Sequence, residues 1–259
     1  MSEQFEPRPF DGNPLNQNPL ATEITREGIP SRGSKKPMGY FTADWQGTTS
    51  YITALSLQEG MLEQVKPQNQ GVVLGLEHPK VITLGIRGQI EKDLYRTPTE
   101  LKSEGFQLAS IRRGGQATLH SPGQLVIYPI LPIKNWGLGV REYIRILENV
   151  CLTLLADLGV SATTRCEKPG IYSSRGKLIF FGVQISRGVS FHGLALNLKN
   201  DLSLFQNIRS CGQTCETFDR LSDHGIRLES QTLFELWCKR LDDHLRNRLS
   251  KTHLNHVGI

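Results

Sequence analysis

The sequence predicts a single α+β (mixed α/β) domain, with a mixed, largely antiparallel sheet flanked by helices. Three observations predict it. Short runs of β-branched and aromatic residues recur through the middle of the chain. Turn-length gaps rich in Gly, Pro and Ser join several of these runs, which favours antiparallel pairing over long crossovers. Three stretches with helical apolar spacing are long enough to cover the faces of such a sheet.

A chain of 259 residues suits one domain with a tail, and 38% hydrophobic with 21% charged residues describes a globular protein. No run of about 18 apolar residues is present, so no transmembrane helix and no membrane partner are expected. The start of the chain lacks an apolar stretch behind a basic one and carries Glu3, Glu6, Asp11, Glu23 and Glu27. That argues against a secretory or mitochondrial leader and for a cytoplasmic protein. Five cysteines, an odd number at low density, fit a reducing compartment. The net charge of +5 does not point to nucleic acid, because Lys and Arg are dispersed and no basic helix or stacking motif gathers them. It fits an acidic protein partner instead.

Residues 1–37, rich in Pro, Asn, Gly and charge, are expected to form a flexible extension, and residues 38–259 the folded domain. From Thr48 to Val65 the apolar residues follow a helical stripe, which Pro67 closes. Val72–Leu76 and Val81–Gly85 read as buried strands about the turn Glu77-His78-Pro79. Thr97-Pro98 starts a short helix over 98–104, and Phe106–Ile111 reads as a strand. Val140–Leu158 is the clearest helix, with Tyr143, Leu147, Val150, Cys151 and Leu154 on one face and Gly159 beyond its end. Lys177–Ile185 and Val189–Leu198 form a hairpin about Ser186-Arg187-Gly188. A last amphipathic helix, Gln231–Leu249, uses Leu233, Leu236, Trp237, Leu241 and Leu245.

The stretch Arg113 to Gln124 combines two chemistries. Paired glycines, Gly114 and Gly115, let the backbone approach a ligand closely, and Arg113 supplies a cation. His120 follows, and Pro122-Gly123 turns the chain into the buried strand Leu125–Ile130. The stretch reads as a loop that wraps a ligand. Arg113, Gly114, Gly115, Thr118, His120, Pro122, Gly123, Gln124, Tyr128, Pro129 and Ile130 together resemble the signature of the octanoyltransferases of lipoate biosynthesis.

Further segments carry the same resemblance in order. These are Glu77-His78-Pro79 with Thr83-Leu84-Gly85, Gly170-Ile171-Tyr172, Lys177 with Gly182, Ser190 to Asn197, Asp201-Leu202 and Cys211-Gly212. The resemblance covers residues 40–222. It implies the catalytic fold of lipoate and biotin–protein ligases, no cofactor and no metal. It implies an acyl-transfer dyad of Cys211 and Lys177, with Arg113, Gly114, Gly115, Thr118, His120, Gly182, His192 and Gly193 around the substrate. The donor implied is octanoyl-acyl carrier protein. The acceptors implied are lipoyl domains of 2-oxoacid dehydrogenase complexes and the glycine-cleavage carrier protein. Two features depart from the family: Phe180 and Phe181 are bulky where small residues usually follow the lysine, and Ser210 precedes Cys211 where a proline is common.

The residues themselves suit this chemistry. Cys211 is followed by Gly212, which leaves room for a carbonyl beside a thiolate. An ordinary thiol is only a few per cent ionised at pH 7, and a neighbouring lysine favours the thiolate. Cys211 and Cys215 are spaced C-x3-C with no second pair, which does not match a zinc site. Other readings of the same residues stay open: Cys211 as a small buried hydrophobe, Lys177 as a strand-mouth lysine, His120 and His192 as structural histidines, and His78 in a structural role. The rival functions are an ATP-dependent lipoate or biotin-type ligase and a non-catalytic acyl-binding sensor.

Overall fold

The computed structural model describes residues 35–111, 115–165, 168–209 and 217–255. Strands β1 (Lys35–Pro37), β2 (Phe41–Thr48), β3 (Gly71–Glu77), β7 (Gln124–Ile130), β11 (Val189–Asn197), β10 (Lys177–Ser186), β9 (Lys168–Tyr172) and β8 (Thr163–Arg165) form one sheet in that spatial order. Among the described residues of this sheet β2 and β3 run parallel and the other neighbouring pairs are antiparallel. A second sheet of three strands has the order β5 (Gln107–Ser110), β4 (Val81–Leu84), β6 (Ala117–His120). The mixed, mainly antiparallel architecture expected from the short turns is therefore present.

Helices cover the large sheet on both faces. Helix α1 (Tyr51–Gln68) packs Ala54, Leu57 and Val65 with Leu74, Leu76, Val126 and Ala195 on one side. On the other side, α4 (Val140–Asp157) and α5 (Ser230–Asn255) share a core with Val73, Leu125, Ile127 and Leu196. Two short helices, α2 (Ile90–Asp93) and α3 (Pro98–Ser103), belong with the three-stranded sheet, whose own core joins Ile82, Leu101, Phe106 and Leu119 to Phe205 and Ile208. Each fully buried aliphatic or aromatic side chain contributes roughly 1.5–3 kcal/mol of transfer free energy. Among the described residues, no helix is long and apolar enough to cross a membrane.

Local chemistry sets the element ends. Ser50 caps α1, its hydroxyl accepting from the Thr53 N–H. The expected stop at Pro67 is corrected by the structure: Pro67 lies inside the final turn, and the helix leaves through Asn69, which is left-handed at φ 50°. A proline so near the end removes only one intrahelical bond, so the stop falls where the αL residue turns the chain. Thr97 and Glu100 cap each other across α3. The β10–β11 hairpin closes through Arg187 (φ 50°) and Gly188 (φ 88°), a two-residue turn with both angles positive. On α5 the expected apolar stripe is shifted, since Leu236 is exposed while Phe234 and Cys238 are buried.

Two strand pairs at the sheet edges, β1–β2 and β8–β9, were not visible as hydrophobic runs, because β1 and β8 are exposed along their length. The expected ligand-wrapping loop is also shorter than its sequence suggests. Ala117–His120 is strand β6, paired with Val81–Leu84. Alternation then sends Leu119 into the small core and sets Thr118 and His120 on the opposite side of the strand.

Candidate active site

Between α1, β6, β7, β10 and β11 lies a cavity of about 290 Å³. Its wall includes Gly115, Thr118, His120, Lys177, Gly182, His192 and Gly193, all of which the sequence singled out. Arg113, Gly114 and Cys211 lie outside the described residues. Tyr51, Arg87, Tyr128, Pro169, Phe180 and Phe181 complete much of the lining.

Lys177 is a buried cation of this cavity, only 2% exposed. Its Nζ lies 4.9 Å from the centre of the Phe180 ring and 5.5 Å from that of Tyr172. Ring faces of negative potential stand in for water around the buried ammonium. The stem reaches this position by crossing Gly170, where a Cβ would lie 2.6 Å from Lys177 Cε. The Lys177 backbone is fixed as well: its N–H donates to the Thr217 carbonyl (2.9 Å) and its carbonyl accepts from the Asp219 N–H (3.0 Å). Asp219 in turn accepts from the Ser173 hydroxyl and pairs with His224 at 2.6 Å, which holds its carboxyl below the usual range against the opposing effect of burial.

Phe180 and Phe181 alternate as a strand requires. Phe180 stacks on Phe205 (5.3 Å between ring centres) and Phe218 (5.9 Å), while Phe181 packs against the main core. Both rings nevertheless reach the cavity. Gly182 and Gly193 face each other across the β10–β11 ladder, so no side chain from either fills the space. At Gly193 the strand lies so close to the Ile127 carbonyl that a Cβ would collide with it.

The three histidines near the cavity have different settings. His78 is fully buried, with Nδ1 2.7 Å from the Thr49 carbonyl and Nε2 2.8 Å from the Tyr128 hydroxyl. Burial pushes it down to about 4, partly offset by the Thr49 bond. This is the structural role expected for it. His120 places Nδ1 2.7 Å from Gln124 Oε1. Its ring stacks on Tyr51 at 6.4 Å and packs beside His78 at 5.5 Å. His192 is held at φ 56°, and its backbone N–H donates to Gln58 Oε1 at 2.9 Å. That N–H is therefore engaged by α1.

Several polar residues outside the expected set organise the site. Gln124 Nε2 donates to Asn197 Oδ1 at 2.9 Å, and Asn197 Nδ2 reaches the carbonyls of Asp219 (3.0 Å) and Lys177 (3.4 Å). Glu77 accepts from the Gly123 N–H at 2.7 Å and from the Ser230 hydroxyl, joining the Pro122-Gly123 turn to the start of α5. Gln116 Nε2 donates to Asp93 Oδ1, and the Asp93 carbonyl accepts the Arg209 N–H. Gln124, Glu77 and Asn197 all stood inside the quoted motifs. The signal for them was a polar residue within a buried strand or at its end, where it must find partners.

Two cysteines, Cys151 and Cys238, lie among the described residues. Cys151 and Cys238 are buried beneath the helices, and burial pushes the Cys151 thiol up to about 12 and that of Cys238 well above its ordinary value. Trp237 Nε1 donates to Cys151 Sγ at 3.4 Å. Both behave as apolar core residues and not as nucleophiles.

The family described as the lipoyl protein ligase A/B catalytic domain matches residues 50–226. The octanoyltransferase of Desulfotalea psychrophila is 38% identical over 180 residues, covering 68% of this chain and 80% of its own. The chain belongs to the octanoyltransferase family. Octanoyltransferases of Alkalilimnicola ehrlichii (34% over 190 residues, covering 73% of this chain and 85% of that protein) and Halorhodospira halophila (42% over 153 residues, covering 58% and 66%) are similar in the same way. Among solved structures, lipoate-protein ligase A bound with ATP superposes with a TM-score of 0.64 at 16% identity, over 81% of this chain and 86% of that one. A bi-partite lipoate protein ligase from Thermoplasma acidophilum gives 0.63 at 15% identity, over 81% and 84%. At such identities the likeness is one of fold. The octanoyltransferase family thus shares the architecture of the lipoate ligases, as the resemblance implied.

Proposed function

We propose that this chain moves an octanoyl group from octanoyl-acyl carrier protein to a lysine of lipoyl domains, through a thioester on Cys211. The acceptors are lipoyl domains of 2-oxoacid dehydrogenase complexes and the glycine-cleavage carrier protein, met in the cytoplasm. Cys211 gives its proton to Lys177 and attacks the donor thioester carbonyl as thiolate, the bond to the carrier's thiol breaks, and Lys177 returns the proton to that departing thiol. The acceptor amine then attacks the acyl-enzyme, an amide forms and the Cys211 thiol is released. Thioester-to-amide transfer runs downhill, so no nucleotide is consumed. The net charge of +5 favours an acidic carrier protein as donor.

One observation carries this reading. The buried Lys177 at the cavity wall is bonded through its own backbone to Thr217 and Asp219, the segment into which Cys211 leads. The inert settings of Cys151 and Cys238 point the same way. Phe180, Phe181 and Val126 give the cavity the apolar lining an alkyl chain needs.

The test is a mass-resolved transfer assay with octanoyl-carrier protein and an apo lipoyl domain, with nucleotide omitted. An octanoyl adduct on the intact enzyme, lost in Cys211→Ser, is the expected result. An adduct of equal yield in that variant refutes Cys211 as nucleophile, and transfer that needs ATP refutes the reaction itself.

A further inference from the structure

We propose that Gln58 of α1 is a positioning residue for the acyl slot, holding the backbone turn that brings His192 into the cavity wall. The inference rests on the octanoyl-transfer reading above and adds a residue of α1 to it.

The register of the sheet shows what is unusual at His192. Strands β7 and β11 pair from Gln124–Asn197 to Ile127–Leu194. Farther along, the Ser190 N–H donates to the Leu131 carbonyl at 2.9 Å. Both ends keep one register, so His192 falls opposite Pro129. Antiparallel bonding repeats every second residue, so a regular ladder would send the His192 N–H to the Pro129 carbonyl. The Ser190 hydroxyl donates to that carbonyl instead, at 2.6 Å, and the His192 N–H turns to Gln58 Oε1 at 2.9 Å. Pro129 has no N–H with which to complete the pair, so the ladder loses little where it opens.

A strand N–H lies in the plane of its sheet, whereas Gln58 stands on a helix packed over one face. The peptide between Phe191 and His192 is therefore turned out of that plane, and φ 56° at His192 is the turn. Consecutive side chains of a strand point to opposite faces. The rings of Phe191 and His192 instead lie 4.2 Å apart, on one side. Without the turn, His192 would share the face of Leu194 and Leu196, which belong to the core with α4 and α5. With it, His192 joins Tyr51, Tyr128 and Ala195 in the cavity wall. A left-handed histidine costs free energy that the surroundings must offset. Gln58, itself buried, is placed to do so, because the N–H it accepts would otherwise be buried without that bond. Gln58 thus acts through the wall, on how the acyl chain is held and not on the bonds that form and break.

The test is steady-state octanoyl transfer by the full chain, read as KM for the octanoyl donor and as kcat, beside a thermal melt. Gln58→Met removes the acceptor at similar size. It is expected to raise that KM about 10-fold, the worth of one buried hydrogen bond, with kcat near that of the wild type. Gln58→Glu keeps an oxygen against the His192 N–H and is expected to restore KM. Glycine takes a positive φ without an anchor, so adding Gln58→Met to His192→Gly should leave the KM of His192→Gly unchanged. If Gln58→Met does not fold alone, that second pair decides the matter. A Gln58→Met enzyme with a lowered melting temperature and the wild-type KM overturns the inference, since the bond then serves stability alone. An equal rise in KM in both backgrounds overturns it too. A wild type that transfers no octanoyl overturns the acyl-transfer reading instead.

Discussion

Lys177 passes over Gly170 so closely that a single added carbon at Gly170 would lie 2.6 Å from Lys177 Cε and 2.8 Å from the Ile179 carbonyl. Gly170 adopts φ 149°, where a side chain is strained in any case. The bare backbone at Gly170 is therefore the groove along which the lysine stem reaches the cavity. Gly170→Ala is expected to misplace the ammonium, lowering the octanoyl-transfer rate at least about 10-fold while destabilising the fold by about 1–3 kcal/mol. A transfer assay beside a thermal melt measures both. A variant with lowered melting temperature and full activity would separate the groove from the chemistry.

Phe180 bounds the cavity with its ring stacked on Phe205 and Phe218. Truncation should deepen the slot on the side where the stack now ends. We expect Phe180→Ala to raise the rate with dodecanoyl relative to octanoyl donors, at a stability loss of about 2–4 kcal/mol, since the ring is half-buried. Competition between donors of different length reads the ratio. An unchanged ratio would show that the chain runs elsewhere.

His78 gives the fold a pH dependence of definite sign. Its native value is about 4 against an ordinary 6.5, so the unfolded chain binds the proton more readily. Stability from this group is complete above about pH 6.5 and falls as pH drops toward 4, by up to about 3 kcal/mol in total. Urea unfolding at pH 7 and pH 4.5 should show the loss, and His78→Gln should flatten that part of the slope. Equal slopes in the two proteins would remove His78 as the source.

Cys151 and Cys238 are buried thiols held protonated by desolvation. Alkylation of the native protein by iodoacetamide, mapped by peptide mass, is expected to leave both unmodified until denaturant is added. Labelling of Cys151 at a rate near that of a free thiol would contradict its place beneath Trp237.

Gly193 meets the Ile127 carbonyl where β11 crosses to β7, and Gly75 meets the ring of Phe234 under α5. Neither has room for a methyl group. Gly193→Ala is expected to destabilise more than Gly75→Ala, by about 2–4 kcal/mol, because backbone cannot step aside as a ring can. Chemical denaturation of the two variants ranks them, and the reverse order would contradict this account.

The letters of the chain determined the class of fold, the positions of the long helices and central strands, and the motifs that border the cavity. They could do so because apolar periodicity and turn chemistry are local, and because a run such as Thr118-x-His120 carries its own alternation. Helix ends were less legible: Pro67 looked like a stop, and only the left-handed Asn69 shows where the chain leaves. The exposed edge strands Lys35–Pro37 and Thr163–Arg165 had no apolar pattern to betray them. Tertiary structure alone decided what each polar residue does. Nothing in Gln124, Asn197 or His120 read singly says that hydrogen bonds join the three in one buried row, or that Gly170 clears a path for Lys177. Those relations join residues far apart in the chain, and buried polar atoms acquire a role only when the fold fixes which partner each one meets.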